Sequence, residues 1–230
     1  MNILITGAGK GIGFEIVKFC IEKGFTNIFA LSKNTSQLDA LNKELPESQK
    51  INIIEYDLQD LNNFQLIKSK ILLKCEGLSY LINNAGLLIN KPFSEITQQD
   101  MVDSYNINVF APYFLIQKLL PILNDASIIN ITSMGAVQGS SKYPGLSAYS
   151  SSKGALTTIS EILAVELKQQ NITCNALALG AVQTEMLSKA FPGFIADTSP
   201  AEMARFIINF ALDSGKRING KIIQVSNSNP

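Results

Sequence analysis

The sequence predicts a doubly wound α/β fold, a parallel sheet of about seven strands with helices on both faces. Three observations carry that prediction. Short β-rich runs alternate with amphipathic stretches along the whole chain. The runs are apolar almost throughout, as in strands buried on both faces by crossover helices. A cluster of glycines stands between the first run and the first amphipathic stretch, where such a fold turns from strand to helix.

In chain order, Asn2–Thr6 reads as the first strand, followed by a helical pattern near 12–23. The second strand, Asn27–Leu31, leads to a helix near 35–45, and the third, Ile51–Glu55, to one near 61–75. Tyr80–Asn83 is the fourth strand, with a long helical pattern near 97–123 after it. Ser127–Thr132 precedes a helix near 147–169, Thr173–Ala178 precedes one near 200–213, and Lys221–Val225 closes the series. No Pro/Gly-rich linker or internal repeat interrupts the pattern, so residues 1–230 are expected to form a single domain. One irregular stretch, roughly 184–200, holds Pro192, Gly193 and Pro200. Following the sixth strand, it would lie over the crevice where ligands bind, as a substrate lid, or else be an ordinary surface loop.

Composition narrows the function classes. A chain of 230 residues with 46% hydrophobic and 17% charged residues is an ordinary globular protein. Nineteen basic and nineteen acidic residues cancel, and no cationic stripe is present to neutralise a phosphate backbone, so no nucleic-acid partner is expected. The chain opens directly on a strand, without a basic start and cleavable apolar stretch, and no apolar run approaches a membrane span. A cytoplasmic protein without membrane association is the expectation. Cys20, Cys75 and Cys174 lack metal-ligand spacing and the chain has no histidine, so no metal site is expected. The same absence removes Ser-His-Asp and Cys-His catalysis and leaves proton transfer to Tyr, Lys, Asp, Glu or Cys.

The cluster Gly7, Gly9, Lys10, Gly11, Ile12 and Gly13 joins strand to helix, where glycines let the backbone approach a pyrophosphate and helix-start amides face the anion. That context makes the fold Rossmann-type. An NTPase phosphate loop would need Gly-Lys-Ser/Thr, and here Gly11 follows Gly9-Lys10. Tyr149 and Lys153 lie four apart in a helical stretch and so share a face, where an ammonium would favour the phenolate and lower the tyrosine pKa. Ser133 ends the fifth strand at the edge where α/β sheets keep their ligands, either polarising a carbonyl or simply capping the strand.

In this order the motifs closely resemble those of the short-chain dehydrogenases/reductases. Thr6 to Gly13 matches the family's TGxxxGxG, Asn83-Asn84-Ala85-Gly86 its NNAG, and Tyr149 with Lys153 its YxxxK. Asn108, within Asn106-Ile107-Asn108-Val109, falls at the family's helix asparagine, and Ser133 at its active-site serine. The resemblance implies an NAD(P)-dependent oxidoreductase acting on a small-molecule carbonyl or alcohol. Tyr149 would exchange the proton, Ser133 would hold the substrate oxygen, and Lys153 would bond the nicotinamide ribose and lower the tyrosine pKa. Asn108 would position water in a proton relay. Asn84, Ala85 and Gly86 would shape the cofactor wall, Gly180, Val182 and Thr184 would lie near the carboxamide, and Asp57 and Leu58 near the adenine. Two departures stand out: Leu179-Gly180 replaces the usual Pro-Gly, and Ser226-Asn227-Ser228-Asn229-Pro230 replaces a glycine-rich ending.

Cofactor choice is read from charge. NAD-selecting folds place an acid at the end of the second strand, whereas this one ends Ser32-Lys33. Lys33 and Lys10 fall where relatives meet a 2′-phosphate and Ser32 could add a hydrogen bond, so NADP(H) is preferred and NAD(H) possible. Relatives associate through the helices matching 97–123 and 147–169, which here carry Tyr113, Leu120, Ile159 and Leu163, so a homodimer or homotetramer is expected. The alternative is a non-catalytic dinucleotide-binding regulator or scaffold, which would be expected to have lost Ser133, Tyr149 or Lys153.

Overall fold

The computed structural model describes residues 1–226. Seven parallel strands form one sheet: β1 (Asn2–Thr6), β2 (Asn27–Ser32), β3 (Asn52–Glu55), β4 (Leu78–Asn83), β5 (Leu123–Ser133), β6 (Thr173–Leu179) and β7 (Ile222–Val225). Their spatial order is β3-β2-β1-β4-β5-β6-β7. The chain winds outward from β1 to β3, then returns to place β4 against the other side of β1. The resulting switch point opens a crevice at the carboxyl ends of β1 and β4.

Both faces of the sheet are apolar because both are covered. Ile3 and Ile5 of β1 pack with Ile16, Val17 and Cys20 of α1 (Gly11–Glu22) and with Ile207 and Ala211 of a helix at Pro200–Asp213. Leu4, between them in sequence, turns to the opposite layer with Ile67 and Ile71 of the Phe64–Leu72 helix and Leu115 of the Ala111–Leu119 helix. The period of two along one strand thus supplies both cores. In chain order the remaining helices are α2 (Ser36–Glu44), α3 (Phe64–Leu72), α4 (Gln98–Tyr105), α5 (Ala111–Leu119), α6 (Ser147–Glu166), α7 (Glu185–Ala190) and α8 (Pro200–Asp213). The start of α8 is written locally. Ser199 accepts from the Glu202 amide at 3.2 Å, Glu202 accepts from the Ser199 amide at 2.8 Å, and Pro200 sits where no intrahelical donor is needed.

Two expectations need correction. The pattern near 97–123 is not one helix: α4 passes into a π-helical turn at Asn106–Phe110 before α5, and a 3₁₀ turn at Leu120–Ile122 follows. Pro112 in the first turn of α5 has no amide to continue the earlier ladder, and the Ala111 amide bonds to Asn106 instead. The stretch near 184–200 is not wholly irregular, since it contains α7, capped by the Thr184 hydroxyl accepting from the Leu187 amide at 3.2 Å. Of the expected interface side chains, Leu120 and Leu163 pack against the core, whereas Tyr113 is exposed. The chain's ending beyond Ser226 lies outside the described residues.

Candidate active site

The glycine loop is built and then stapled. Gly7 has φ +66°, a left-handed conformation that side chains resist, and a Cβ on Gly13 would lie 2.2 Å from the Gly7 carbonyl oxygen. Only glycine lets α1 begin this close to β1. Asn84 bonds the loop from the far side of the switch point, its amide nitrogen donating to the carbonyls of Thr6 at 3.0 Å and Gly7 at 3.2 Å. The Thr6 hydroxyl accepts from the backbone amides of Asn84 and Ala85, both at 3.1 Å. Asn83 turns the other way, donating at 2.8 Å to Asn130 inside the sheet. At the head of α1, Lys10 is extended and provides no side-chain cap, so the first-turn amides face outward over the crevice.

A second group gathers where β5 ends and α6 begins. Ser133, at the end of β5, and Tyr149, in the first turn of α6, line the same cleft, and Lys153 follows one turn later on α6. Lys153 is 2% exposed, and its Nζ donates to the Ile131 carbonyl at 2.7 Å. Burial pushes the Tyr149 phenol up to about 12, with the nearby Ser133 hydroxyl pulling the other way, and burial pushes Lys153 down to about 8. The expected lowering of the tyrosine by the lysine is therefore corrected for the chain by itself. Desolvation is the largest influence on the phenol, and Lys153 adds no resolved lowering. Asn108 is fully buried behind this group. Its amide nitrogen donates to the Leu87 carbonyl at 2.9 Å and the Ser152 hydroxyl at 2.9 Å, while its oxygen accepts from the Leu87 amide at 2.8 Å. The side chain fixes the loop after β4 rather than facing the crevice.

At the other end lie the two exposed lysines. Lys33 pairs with Asp57 at 2.6 Å, and its hydrogen bond holds the carboxyl below the usual range. Lys10 pairs with Glu185 at 2.9 Å; Lys189 first and then Lys10 hold that carboxyl down to about 2. Asp57, expected at the adenine edge, and Glu185, not anticipated from sequence, thus neutralise the two lysines singled out as phosphate ligands.

The segment after β6 closes over the loop. Leu179, where the family resemblance leads to a proline being expected, pairs in register with both Ser133 and Val225 and so extends β6. The Gly180 amide donates to the Val225 carbonyl at 2.9 Å, and Thr184 stands over Gly11, whose Cβ would lie 3.6 Å from the threonine methyl. Asn90 donates at 2.7 Å to the Ala190 carbonyl, tying the end of α7 to the loop after β4.

All these features border one cleft of about 690 Å³. It is lined by Gly7, Gly9, Lys10, Gly11 and Ile12; by Ser32, Lys33, Asp57 and Leu58; by Asn84, Ala85 and Gly86; by Ser133, Tyr149 and Lys153; and by Gly180, Val182 and Thr184. Of the expected site residues, Gly13 and Asn108 lie behind the wall instead, one packing α1 and the other bracing a loop. Besides Glu185, sequence reasoning missed Ser104, whose spacing of four before Asn108 on one helical pattern was an available signal, and Ser152. Both hydroxyls bond to Asn108. The glycine cradle, whose surfaces added Cβ atoms would fill, and the outward amides fit a dinucleotide pyrophosphate. No helix of the described residues is long and apolar enough to cross a membrane.

The family model for the short chain dehydrogenase matches residues 1–193. The L-2,3-butanediol dehydrogenase of Corynebacterium glutamicum is 33% identical over 189 residues, 80% of this chain and 72% of that protein. The carbonyl reductase (NADPH) 2 of Sus scrofa is 30% identical over 190 residues, covering 81% and 73%. Among solved structures, a protein from Escherichia coli CFT073 complexed with NADPH superposes with a TM-score of 0.85 at 28% identity, covering 97% of this chain and 95% of that one.

Proposed function

Because the chain belongs to the short-chain dehydrogenase family and is an NAD(P)-dependent oxidoreductase of alcohols and carbonyls, we propose that it is an NADP(H)-dependent carbonyl reductase/alcohol dehydrogenase, with Tyr149 as the proton donor and acceptor. The observation that carries this reading is the meeting of Ser133, Tyr149 and the buried Lys153 in one cleft at the sheet edge, beside the glycine loop. The dinucleotide, when bound by the glycine loop, Asn84 to Gly86 and Gly180 to Thr184, supplies or accepts the hydride. The chain does the rest. Ser133 holds the substrate oxygen, and Tyr149 donates its hydroxyl proton to that oxygen in reduction or removes one from the alcohol in oxidation. Lys153 presents a cation beside the ribose subsite, and Asn108 keeps the loop after β4 in place.

NADP(H) preference rests on Lys33 and Lys10, and on the absence of an acid at the end of β2. The segment 184–200 serves as the lid of a single 1–230 domain, its α7 anchored over the glycine loop through Thr184 and Glu185. Exposed Phe110, Tyr113 and Phe114 on the α4–α5 face, with Ile162 and Val165 on α6, support association into a homodimer or homotetramer. Cytoplasmic location is part of the same proposal, supported by free Cys20, Cys75 and Cys174.

Tyr149→Phe tests the central assignment. Turnover of the best carbonyl is expected to fall at least about a hundredfold, while dinucleotide affinity, followed by reduced-nicotinamide fluorescence, stays within about twofold because the ring still fills its place. Near-wild-type turnover would remove Tyr149 from the proton step.

A further inference from the structure

We propose that the substrate is an uncharged ketone or aldehyde whose flank is hydrocarbon, alkyl or aryl. This rests on the carbonyl-reductase reading and adds the substrate class to it. Beyond Ser133 and Tyr149 the cleft is walled by three segments. The loop after β4 contributes Leu87 and Leu88, and the stretch between β5 and α6 contributes Met134, Tyr143 and Leu146. The third wall, α7 and the residues after it, contributes Met186, Phe191 and Phe194. Phe194 is 52% exposed and Tyr143 48% exposed, so among the described residues an apolar rim opens to solvent.

Among the described residues, no charged side chain stands free in the cleft for an ionic substrate. Each charged side chain that lines the cleft is already engaged: Lys10 with Glu185, Lys33 with Asp57, and Lys153 with the Ile131 carbonyl. Charges just outside it are turned away. Lys91 pairs with Asp100 at 2.8 Å, Lys189 pairs with Glu185, and Lys142 folds back onto the Val137 carbonyl and, at 2.8 Å, the Ser140 hydroxyl. A carboxylate or phosphate entering between the leucines and phenylalanines would lose its water without gaining a partner. A polyol would set most of its hydroxyls, beyond the one Ser133 and Tyr149 take, against Leu87, Leu88, Met186, Phe191 and Phe194, where hydrogen-bond partners are few. A hydrocarbon flank loses nothing on entry and covers the exposed rings.

The test is a matched panel assayed with NADPH and with NADH. The series from 2-butanone to 2-decanone measures the flank, acetophenone against 4-acetylbenzoate measures charge, and 2-heptanone against a five-carbon ketose measures polyol tolerance. Expected results are a rise in kcat/KM of about threefold to fourfold per methylene until the cleft is filled, and a loss of at least about a hundredfold from acetophenone to 4-acetylbenzoate. Phe194→Lys should narrow that last ratio by about tenfold or more, chiefly through KM. Binding without turnover is read from the thermal shift given to the NADPH complex by benzamide and by 4-carbamoylbenzoate, with only the neutral amide expected to stabilise. Equal or better turnover of the carboxylate or the ketose, or no dependence on chain length, overturns the substrate class and leaves the reductase reading standing. Failure of every carbonyl with both cofactors, alongside retained dinucleotide binding, overturns the reductase reading itself and this inference with it.

Discussion

Three lysines border the same cleft and live in two different physical worlds. Lys153 is almost wholly buried against a backbone carbonyl, whereas Lys10 and Lys33 stand 59% and 76% exposed against carboxylates. For the first, desolvation decides: it drags the ammonium toward neutrality, and no ion pair compensates. For the other two, solvent decides, because exposed pairs are weak and salt-screened whatever their geometry. The cleft therefore has a reactive end with stored electrostatic cost and an adenosine end whose charges are held loosely enough to be exchanged for a ligand's.

The comparison breaks most easily at its buried end. Lys153→Met keeps much of the bulk and removes the charge, and is expected to cost at least about a hundredfold in turnover and to weaken dinucleotide binding as well. Its second signature is in stability. The lysine's folded value near 8 lies below its ordinary 10.5, so between those pH values the unfolded chain holds a proton that the folded chain has shed. Wild-type stability should rise with pH across that window, by a total of roughly 3 kcal/mol. Denaturant unfolding of wild type minus Lys153→Met, from pH 7.5 to 10.5, isolates this slope. Parallel curves would mean that the ammonium is not desolvated.

These differences also mark what the sequence could and could not say. The parallel sheet was legible because apolar runs repeat at regular intervals, and the switch point because the glycines fall after β1. Tyr149, Lys153 and Ser133 were legible because their separations place them on one helix face and at one strand end. What escaped was set by tertiary packing. The π-helical turn at Asn106–Phe110 has the same apolar spacing as the helix around it, and only the meeting of Pro112 with the α4 ladder reveals it. Glu185 lies 175 residues from Lys10, and no periodicity announces such a pair. Burial, not proximity to Lys153, sets the Tyr149 value, and burial is a property of the assembled fold.

A smaller effect is expected at Lys33. Lys33→Asp replaces the cation with a carboxylate beside Asp57, where a 2′-phosphate would meet two like charges. The ratio of kcat/KM for NADPH over NADH should fall by about tenfold or more. A wild-type ratio below one, or a ratio unmoved by the reversal, would take away the basis for NADP(H) preference.

The smallest effect, and the sharpest test of the contrast, belongs to Glu185→Gln. Glu185 holds Lys10 on one side and Lys189 on the other, so a 2′-phosphate approaching Lys10 must compete with a carboxylate already there. Neutralising that carboxylate frees Lys10 and removes an anion from beside the phosphate. NADPH should therefore bind more tightly, by less than about fivefold since both partners are half in water, while NADH affinity stays where it was. The gain should vanish toward 1 M salt, where the screening length falls to about 3 Å. The opposite arrangement makes a different prediction. If the pair matters chiefly as a tether holding α7 over the glycine loop, losing it loosens the segment over the pyrophosphate shared by both cofactors. NADPH and NADH affinities would then fall together. Titrations of the two reduced cofactors at two salt concentrations tell competition from tethering.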